Sequence, residues 1–349
     1  MSVVLGIDTS NYTTSAALYD TQSGEMIMSG RLLEVPSGEK GLRQSNALFL
    51  HTRQLPLVLE DAFSRFSKAK PDAICVSSAP RSVDGSYMPV FSAGISAATS
   101  AALALGVPLF KTSHQNGHIA AALFSAQKTE LIGKPFISFH ISGGTTEALY
   151  VTPSDDVFKC DIVAKTLDLN AGQVIDRLGV KMGLKFPCGS ELDKLAASCD
   201  DYIKIPKITL KGADCCLSGL ENLCEKFSRD HTNSQTAKFL FLCIAETISE
   251  MSCRLSKKYG DLPFVYAGGV MRNSIVRNRI SGYFAKPEYS SDNAAGVAYI
   301  GSILLNKSGC NAKNLCFFCV TTEYLCSIAS RKQRCFARYL RLRRDLEFC

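Results

Sequence analysis

A short motif occurs twice in this chain, about 130 residues apart. The segment SNYTTSAALYD, residues 10–20, follows an apolar stretch at 3–7, and SGGTTEALYV, residues 142–151, follows the apolar stretch PFISFHI. Both copies contain Ser, Thr-Thr, Ala and Leu-Tyr in the same order. Each copy is typical of a β-hairpin with a polar tip, at residues 8–14 and 142–146. The repeat indicates internal duplication, so we expect two halves built on the same strand pattern.

Between and after these hairpins, strand patterns alternate with helix patterns. This alternation predicts an α/β architecture with a mixed sheet in each half. The expected strands lie at 3–7, 15–19, 73–77, 108–111 and 263–266, and the expected helices at 45–66, 91–105, 171–182 and 238–259, with shorter ones near Ser274 and Ala294. Segments 78–89 and the region of Pro187 and Gly189 are expected to be loops.

Composition narrows the class of protein. The chain has 349 residues with 46% hydrophobic and 20% charged residues, which is typical of a soluble protein of two domains or one bilobal body. The N-terminus does not resemble a signal peptide, and the longest apolar window, 91–110, contains Ser, Gly and Pro108. We therefore expect no membrane span. We also expect the fifteen cysteines to be free thiols in the cytoplasm.

The segment from Asn306 onward is unusual. It holds nine Lys or Arg against three acidic residues, and so carries most of the formal net charge of +7. It also contains a single CxxC, formed by Cys316 and Cys319, without the second pair that a zinc site of this kind needs. An RNA-binding segment, a solvated helix face and a disordered extension all remain open as interpretations of this tail.

The sequence HQNGH, residues 114–118, is the clearest candidate for a chemical site. Residues four apart on a helix share one face, so His114 and His118 can bind one cation. Asp292 is the candidate third ligand, because it stands where a strand is expected to end and a helix to begin. The alternative is a pair of ordinary surface or core histidines. A zinc peptidase of the HExxH type is unsupported, because Gln115 occupies the position of the catalytic Glu.

Three further segments are candidates for binding a ligand. Glycines in SGGTT let backbone N–H groups approach an anion, and FVYAGGVMRNS places Gly-Gly and Asn273 between a strand and a helix. In the segment that follows residue 167, Asp176 is the acid that we expect to contact a ligand such as a ribose hydroxyl, and Gly189 allows close approach. Tight turns and solvated charges explain the same residues equally well. Neither a Walker loop nor a GxGxxG motif is present.

Six of these motifs occur in the order found in the TsaD family of tRNA-modifying proteins, and the chain resembles that family over about residues 3–305. The motifs are HxxxH, SGGxT, a Gly-x-x-x-Asp helix followed by Pro-x-Gly, Ser-Gly-Leu, AGGVxxN and SDNAA. The resemblance implies the actin-like ATPase fold of actin, sugar kinases and Hsp70, with two duplicated lobes around a central cleft. It implies a first lobe at 1–110 plus 290–306, a second lobe at 111–289, and a separate tail at 307–349.

The resemblance also implies a site and an activity. One divalent metal ion, iron or zinc, is expected on His114, His118 and Asp292. The expected contacts to adenine nucleotide or threonylcarbamoyl-adenylate are His140, Ile141, Ser142, Gly143, Gly144, Asp176, Gly189 and Asn273. The implied reaction moves a threonylcarbamoyl group from that adenylate to N6 of the adenosine beside the anticodon, in tRNAs that read codons beginning with A. Protein partner subunits are also expected.

The chain departs from the family pattern at several positions. They are Asn11, Tyr12, Thr13 and Thr14 in the first turn, Asn116, Thr145, Gln173, and the loop 80–88, which lacks the usual glycine-rich run. These departures leave a second interpretation open: a paralogue of the same fold with another acceptor, or a non-catalytic partner subunit. The intact ligand set speaks against a pure scaffold. A metallopeptidase is the weakest of the interpretations.

Overall fold

The structure, a computed structural model, describes residues 2–10, 12–34, 42–67, 70–290 and 292–309. Asn11 and the greater part of the tail, including Cys316 and Cys319, lie outside the described residues. The first half of the chain forms a five-stranded sheet. Its strands are β1 (Val3–Ser10), β2 (Thr13–Asp20), β3 (Met26–Leu32), β4 (Ala73–Ala79) and β5 (Leu109–Ser113), in the spatial order β3-β2-β1-β4-β5.

The second half repeats this topology. Its strands are β6 (Phe136–Ile141), β7 (Thr146–Ser154), β8 (Val157–Lys165), β9 (Phe264–Ala267) and β10 (Tyr283–Phe284), in the order β8-β7-β6-β9-β10. In each sheet the first three strands are antiparallel and the last two run parallel to the first. Each of the two equivalent sheets therefore begins with one copy of the repeated hairpin. The predicted duplicated α/β fold is confirmed.

Nine helices cover and connect these sheets in the part of the chain that the structure describes. They are α1 (Gln44–Ser64), α2 (Phe91–Leu105), α3 (His114–Ser125), α4 (Ala171–Lys181), α5 (Gly189–Ala197), α6 (Ser218–Phe227), α7 (Asn233–Tyr259), α8 (Ser274–Arg279) and α9 (Ala295–Lys307). Local sequence fixes several ends: Gly106 closes α2 in the left-handed conformation, and Thr232 with Gln235 forms a capping box at the start of α7.

Two local predictions were wrong. Gly189 does not lie in a loop but begins α5 directly after the Pro187 segment, because the first turn of a helix tolerates glycine and needs no interior hydrogen bond there. Asp292 does not follow a strand. The preceding element is a 3-10 helix, Pro287–Tyr289, and Asp292 lies in the short link from it to α9.

Helix α9 holds the site region together through close backbone packing. A Cβ on Gly296 would lie 1.8 Å from the Gly117 carbonyl oxygen and 2.6 Å from the Ala121 nitrogen of α3. On the other side of α9, a Cβ on Gly6 of β1 would lie 2.5 Å from the Ala298 nitrogen. Glycine at these positions lets α3, α9 and β1 approach until their backbones touch. The helix that carries the two histidines is thereby fixed against the helix that follows Asp292.

Large apolar cores lie beneath both sheets. The first contains Ile7, Leu18 and Ile74, and the second contains Phe139, Ile175 and Leu240. A further cluster between them joins Leu123 of α3 to Ile300 of α9. Among the described residues, no helix is both long and apolar enough to cross a bilayer. The division of the chain into lobes at 110, 111, 289 and 290 stays a prediction.

Candidate metal centre

Helix α3 presents both histidines of HQNGH from its first turns. Ser113 caps the helix, since its hydroxyl accepts the Asn116 backbone N–H at 3.2 Å. The helix therefore starts at His114, and the next turn carries His118 on the same face. The two Nε2 atoms lie 3.0 Å apart.

Asp292 reaches these rings from the other end of the chain. Its Oδ1 lies 3.2 Å from His118 Nε2 and 3.7 Å from His114 Nε2. One ligand atom from each of the three side chains lies within 4.8 Å of the other two. The sequence-predicted ligands are brought together, and their binding of a metal stays a prediction.

The donor set fits a first-row divalent cation. Zinc bonds to imidazole nitrogen and carboxylate oxygen at about 2.0–2.2 Å, which in a tetrahedral site places neighbouring ligand atoms roughly 3.3–3.6 Å apart. The 3.2 and 3.7 Å separations lie close to that range, and the 3.0 Å separation between the two histidine nitrogens corresponds to a narrower angle at the cation. Three protein ligands of this kind leave further coordination positions for a substrate, as catalytic rather than structural zinc sites do.

Asp8 contacts the candidate site and was not predicted as an individual site residue from the sequence. Its fully buried carboxylate lies 3.2 Å from His114 Nδ1 and accepts hydrogen bonds from the hydroxyls of Ser10 and Ser77. A carboxylate on Nδ1 accepts the ring N–H there, which leaves Nε2 as the atom that would bind a cation once its own proton is lost. The available signal was the acid at the start of the predicted turn 8–14; in the structure Asp8 lies within β1, two residues before its end.

The electrostatics of the site favour a cation. Burial opposes the charged form of His114, but the Asp8 carboxylate prevails and raises the pKa of His114 to about 8. Burial likewise opposes ionised Asp292, yet its hydrogen bond with His118 and the nearby histidines lower its pKa to about 2. Burial and the neighbouring His118 lower the pKa of His140 to about 3, so this ring is neutral near pH 7. The buried carboxylate of Asp8 and the partly exposed carboxylate of Asp292 thus face a cluster of imidazoles.

His140 joins the cluster from the second sheet. It lies near the end of β6, and its ring centroid is 4.8 Å from that of His118. The neighbouring Ile141 is in close backbone contact with Gly268, the first glycine of the AGG segment (residues 267–269). A Cβ on Gly268 would lie 2.2 Å from the Ile141 carbonyl oxygen. Gly268 also has φ of +101°, a conformation that glycine adopts without strain. Backbone contact therefore brings the AGG segment beside the end of β6.

The turn after β6 meets the start of α4. Ser142 closes the turn, because its N–H donates to the Thr145 carbonyl at 2.7 Å and its Oγ accepts the Thr145 N–H at 3.2 Å. A Cβ on Gly172 of α4 would lie 2.6 Å from Gly143 Cα, whereas nothing lies within 4 Å of a Cβ on Gly143 or Gly144. The first N–H groups of α4 already have partners, because Ala171 donates to Thr146 Oγ1 at 2.9 Å and Gly172 donates to the Ser142 carbonyl at 3.1 Å. An anion at this turn would therefore be bound by the backbone N–H groups of Gly143 and Gly144, which have open space around them.

Other predicted contacts have partners within the protein. Asp176 accepts the Cys188 backbone N–H at 2.8 Å, next to Gly189, and burial raises the pKa of Asp176. Asn273 is buried, donates to Asp193 Oδ1 at 2.5 Å and caps α8 by accepting the Val276 N–H at 3.0 Å. Both ends of the Asn273 amide are engaged in this way. Asp176, Gly189 and Asn273 remain predicted ligand contacts.

Two departures from the family pattern have local structural roles. Gln173 Oε1 accepts the Asn170 N–H at 2.9 Å, and so completes a capping box at the start of α4, a task that Gln performs as well as Glu. Asn116 is buried, and its amide donates to the Phe158 carbonyl at 3.2 Å. Neither substitution removes a ligand from the metal centre.

Comparison with known proteins identifies the family. The model of the TsaD family, described as tRNA N6-adenosine threonylcarbamoyltransferase, matches residues 40–299. The chain belongs to the TsaD family. Two similar proteins named tRNA N6-adenosine threonylcarbamoyltransferase come from Bacillus subtilis and Thermosipho africanus. Each is 28% identical to this TsaD-family chain, over 87% of it and over 91% and 95% of their own lengths.

Solved structures place this TsaD-family chain in the expected fold. HypF from T. kodakarensis aligns with a TM-score of 0.57 at 12% identity, over 88% of this chain and 48% of HypF. Component A of (R)-2-hydroxyglutaryl-CoA dehydratase from Acidaminococcus fermentans aligns with a TM-score of 0.51 at 16% identity, over 87% of this chain and 99% of its own. At these identities the likeness supports the fold alone, and the predicted actin-like ATPase fold is confirmed.

Proposed function

We propose that this protein is a metal-dependent transferase that moves threonylcarbamoyl from threonylcarbamoyl-adenylate to N6 of the adenosine beside the anticodon, in tRNAs reading codons that begin with A. The observation that carries this proposal is the convergence of His114, His118 and Asp292, with ligand atoms within 4.8 Å, in a chain of the TsaD family. A scaffold has no physical need for two imidazoles and a carboxylate around one point.

The chemistry is an acyl transfer. The N6 amine attacks the carbamoyl carbon, the new C–N bond forms, the bond from that carbon to the adenylate oxygen breaks, and AMP leaves while N6 loses a proton. His114, His118 and Asp292 would hold an iron or zinc ion, which would supply Lewis-acid polarisation of the transferred group. Asp8 fixes the His114 ring through Nδ1.

The adenylate is proposed to bind beside the cation. The turn containing Ser142, Gly143 and Gly144 suits a phosphate, because the two glycines leave their backbone N–H groups accessible. His140 and Ile141 stand between this turn and the metal centre, and Asp176, Gly189 and Asn273 are proposed to line the nucleoside side. The attacking adenosine comes from a single-stranded loop, where a base can be splayed out.

The setting of this reaction is also a proposal. We place it in the cytoplasm, with tRNA as acceptor and further protein subunits as partners. The cleft lies between lobes formed by 1–110 with 290–306 and by 111–289.

The test is mass analysis of tRNA nucleosides after depletion of this protein. Loss of threonylcarbamoyl-adenosine, restored by the wild-type gene but not by Asp292→Ala, is the expected result. His231→Ala is a matched control, because His231 is exposed and its Nδ1 lies 2.9 Å from the Phe227 carbonyl oxygen at the end of α6. Full restoration by Asp292→Ala would contradict a metal-dependent transfer, and unchanged modification on depletion would assign the chain to another acceptor.

A further inference from the structure

Arg81 stands in the loop after β4, within the segment 80–88 that departs from the family's glycine-rich run. The loop is fixed to the metal helix, because the Pro80 carbonyl accepts the Gln115 N–H at 3.0 Å. Gln115 directly follows His114. The residue that precedes Arg81 is therefore hydrogen-bonded to the first turn of α3.

The guanidinium of Arg81 forms an ion pair with Glu147, a buried acid of the second sheet. Its Nη2 lies 3.1 and 2.8 Å from the two carboxylate oxygens of Glu147, which also accepts from Gln115 Nε2 at 3.2 Å. Glu147 on β7 is directly opposite His140 on β6, so both side chains share one face of the sheet. Since the His140 ring packs on His118, this ion pair lies beside the metal centre.

One edge of the guanidinium is open. Nη2 makes both contacts to Glu147, while Nε and Nη1 make no hydrogen bond to any residue that the structure describes. The side chain is 36% exposed, whereas that of Glu147 is 9% exposed. Arginine presents a rigid fork of donors that matches carboxylate and phosphate oxygens. Glu147 thus holds the guanidinium in place and leaves its other side accessible to a ligand.

We propose that Arg81 is a specificity residue whose open edge binds an anionic group of the acyl donor. This inference rests on the proposed function. Threonylcarbamoyl-adenylate carries two such groups, the carboxylate of the threonine half and the phosphate of the adenylate. A carbamoyl donor without an anionic group for Arg81 would leave the open edge of the guanidinium desolvated and without a hydrogen-bond acceptor, and so would bind less well.

The test measures binding by calorimetry to the zinc-loaded full chain without tRNA. Arg81→Gln is expected to weaken binding of threonylcarbamoyl-adenylate about 10- to 100-fold, since a hydrogen bond between charged groups is lost. The same loss with N-carbamoyl-L-threonine but not with AMP assigns the carboxylate, and the reverse result assigns the phosphate. Arg81→Lys keeps a cation for Glu147 and is expected to bind with intermediate affinity.

Arg177→Gln is the matched control. Arg177 also pairs with a largely buried acid, Glu221, at 3.2 Å, but it lies on the outer face of α4 and is 52% exposed. The Arg177→Gln variant is expected to bind threonylcarbamoyl-adenylate with the affinity of the wild type. Equal binding by the wild type, Arg81→Gln and Arg81→Lys, with unchanged zinc content, would overturn this inference alone. Failure of the wild-type chain to bind the adenylate would overturn the proposed function as well.

Discussion

Gly296→Ala is expected to damage the metal centre without touching a ligand. Gly296 lies in the first turn of α9, four residues after Asp292, and it packs on Gly117, which precedes His118 in α3. An alanine Cβ there would stand 1.8 Å from the Gly117 carbonyl oxygen, against 3.4 Å for ordinary contact. The two helices must separate by roughly 1.6 Å to admit it.

That separation is large compared with what a metal site tolerates. Bond lengths to a bound cation vary by about 0.2 Å, so a shift of this size between the histidines and Asp292 removes one ligand. We expect zinc affinity to fall by at least about 10- to 100-fold, the loss seen when even a ligand's supporting contact is removed. Overpacking adds a stability cost of about 1–3 kcal/mol, which lowers the melting temperature of a chain of this length by roughly 1–4 °C.

Zinc affinity is measured by competition with a chromophoric chelator, and the melting temperature of the metal-free protein by calorimetry. Gly30→Ala is the matched control, because its added Cβ would meet Ser15 and Thr13 no closer than 3.7 Å. It should leave both quantities near wild type. If Gly296→Ala left zinc affinity and the melting temperature unchanged, the idea that close packing of α3 on α9 supports the site would be refuted.

Three further outcomes are expected. His118→Ala and Asp292→Ala each reduce zinc from about one equivalent to near zero by elemental analysis, while circular dichroism stays unchanged; stoichiometric zinc in both would reject the site. Zinc at a thousandfold excess over its dissociation constant stabilises the wild type by about 4 kcal/mol, and this shift is absent from Asp292→Ala in thermal unfolding. Gly172→Ala, whose Cβ would lie 2.6 Å from Gly143 Cα, weakens AMP binding by calorimetry and leaves zinc affinity intact; unchanged AMP affinity would remove the turn from the nucleotide site.

Sequence reasoning performed best where one local rule decides the outcome. Helical periodicity alone places His114 and His118 on one face, and the repeated hairpin motif predicts two equivalent sheets. Asp292 was predicted as the third ligand from its place between an expected strand and an expected helix, and the resemblance to the family supported that choice. No local pattern connects residues so far apart in the chain. The close approach of Asp292 depends on glycine contacts between α3 and α9 that the sequence does not reveal.

The missed elements have physical reasons. Strands β3 and β8 alternate irregularly between buried and exposed residues, since they lie at sheet edges, and so lack the apolar run of β1 or β6. Helix α5 was missed because Pro187 and Gly189 favour a loop. The pairs Asp8 with His114 and Arg81 with Glu147 join distant segments, and only the folded chain brings them together.

The two copies of the hairpin bring different charges to the site. In the first copy the core strand carries Asp8, a buried carboxylate that faces His114; in the second copy the matching residue is His140, which is neutral near pH 7 and precedes a turn of two glycines without side chains. One hairpin therefore supplies a negative charge, and its counterpart supplies an imidazole beside accessible backbone N–H groups. A ligand with a metal-seeking end and a negatively charged end would have only one orientation that suits both hairpins.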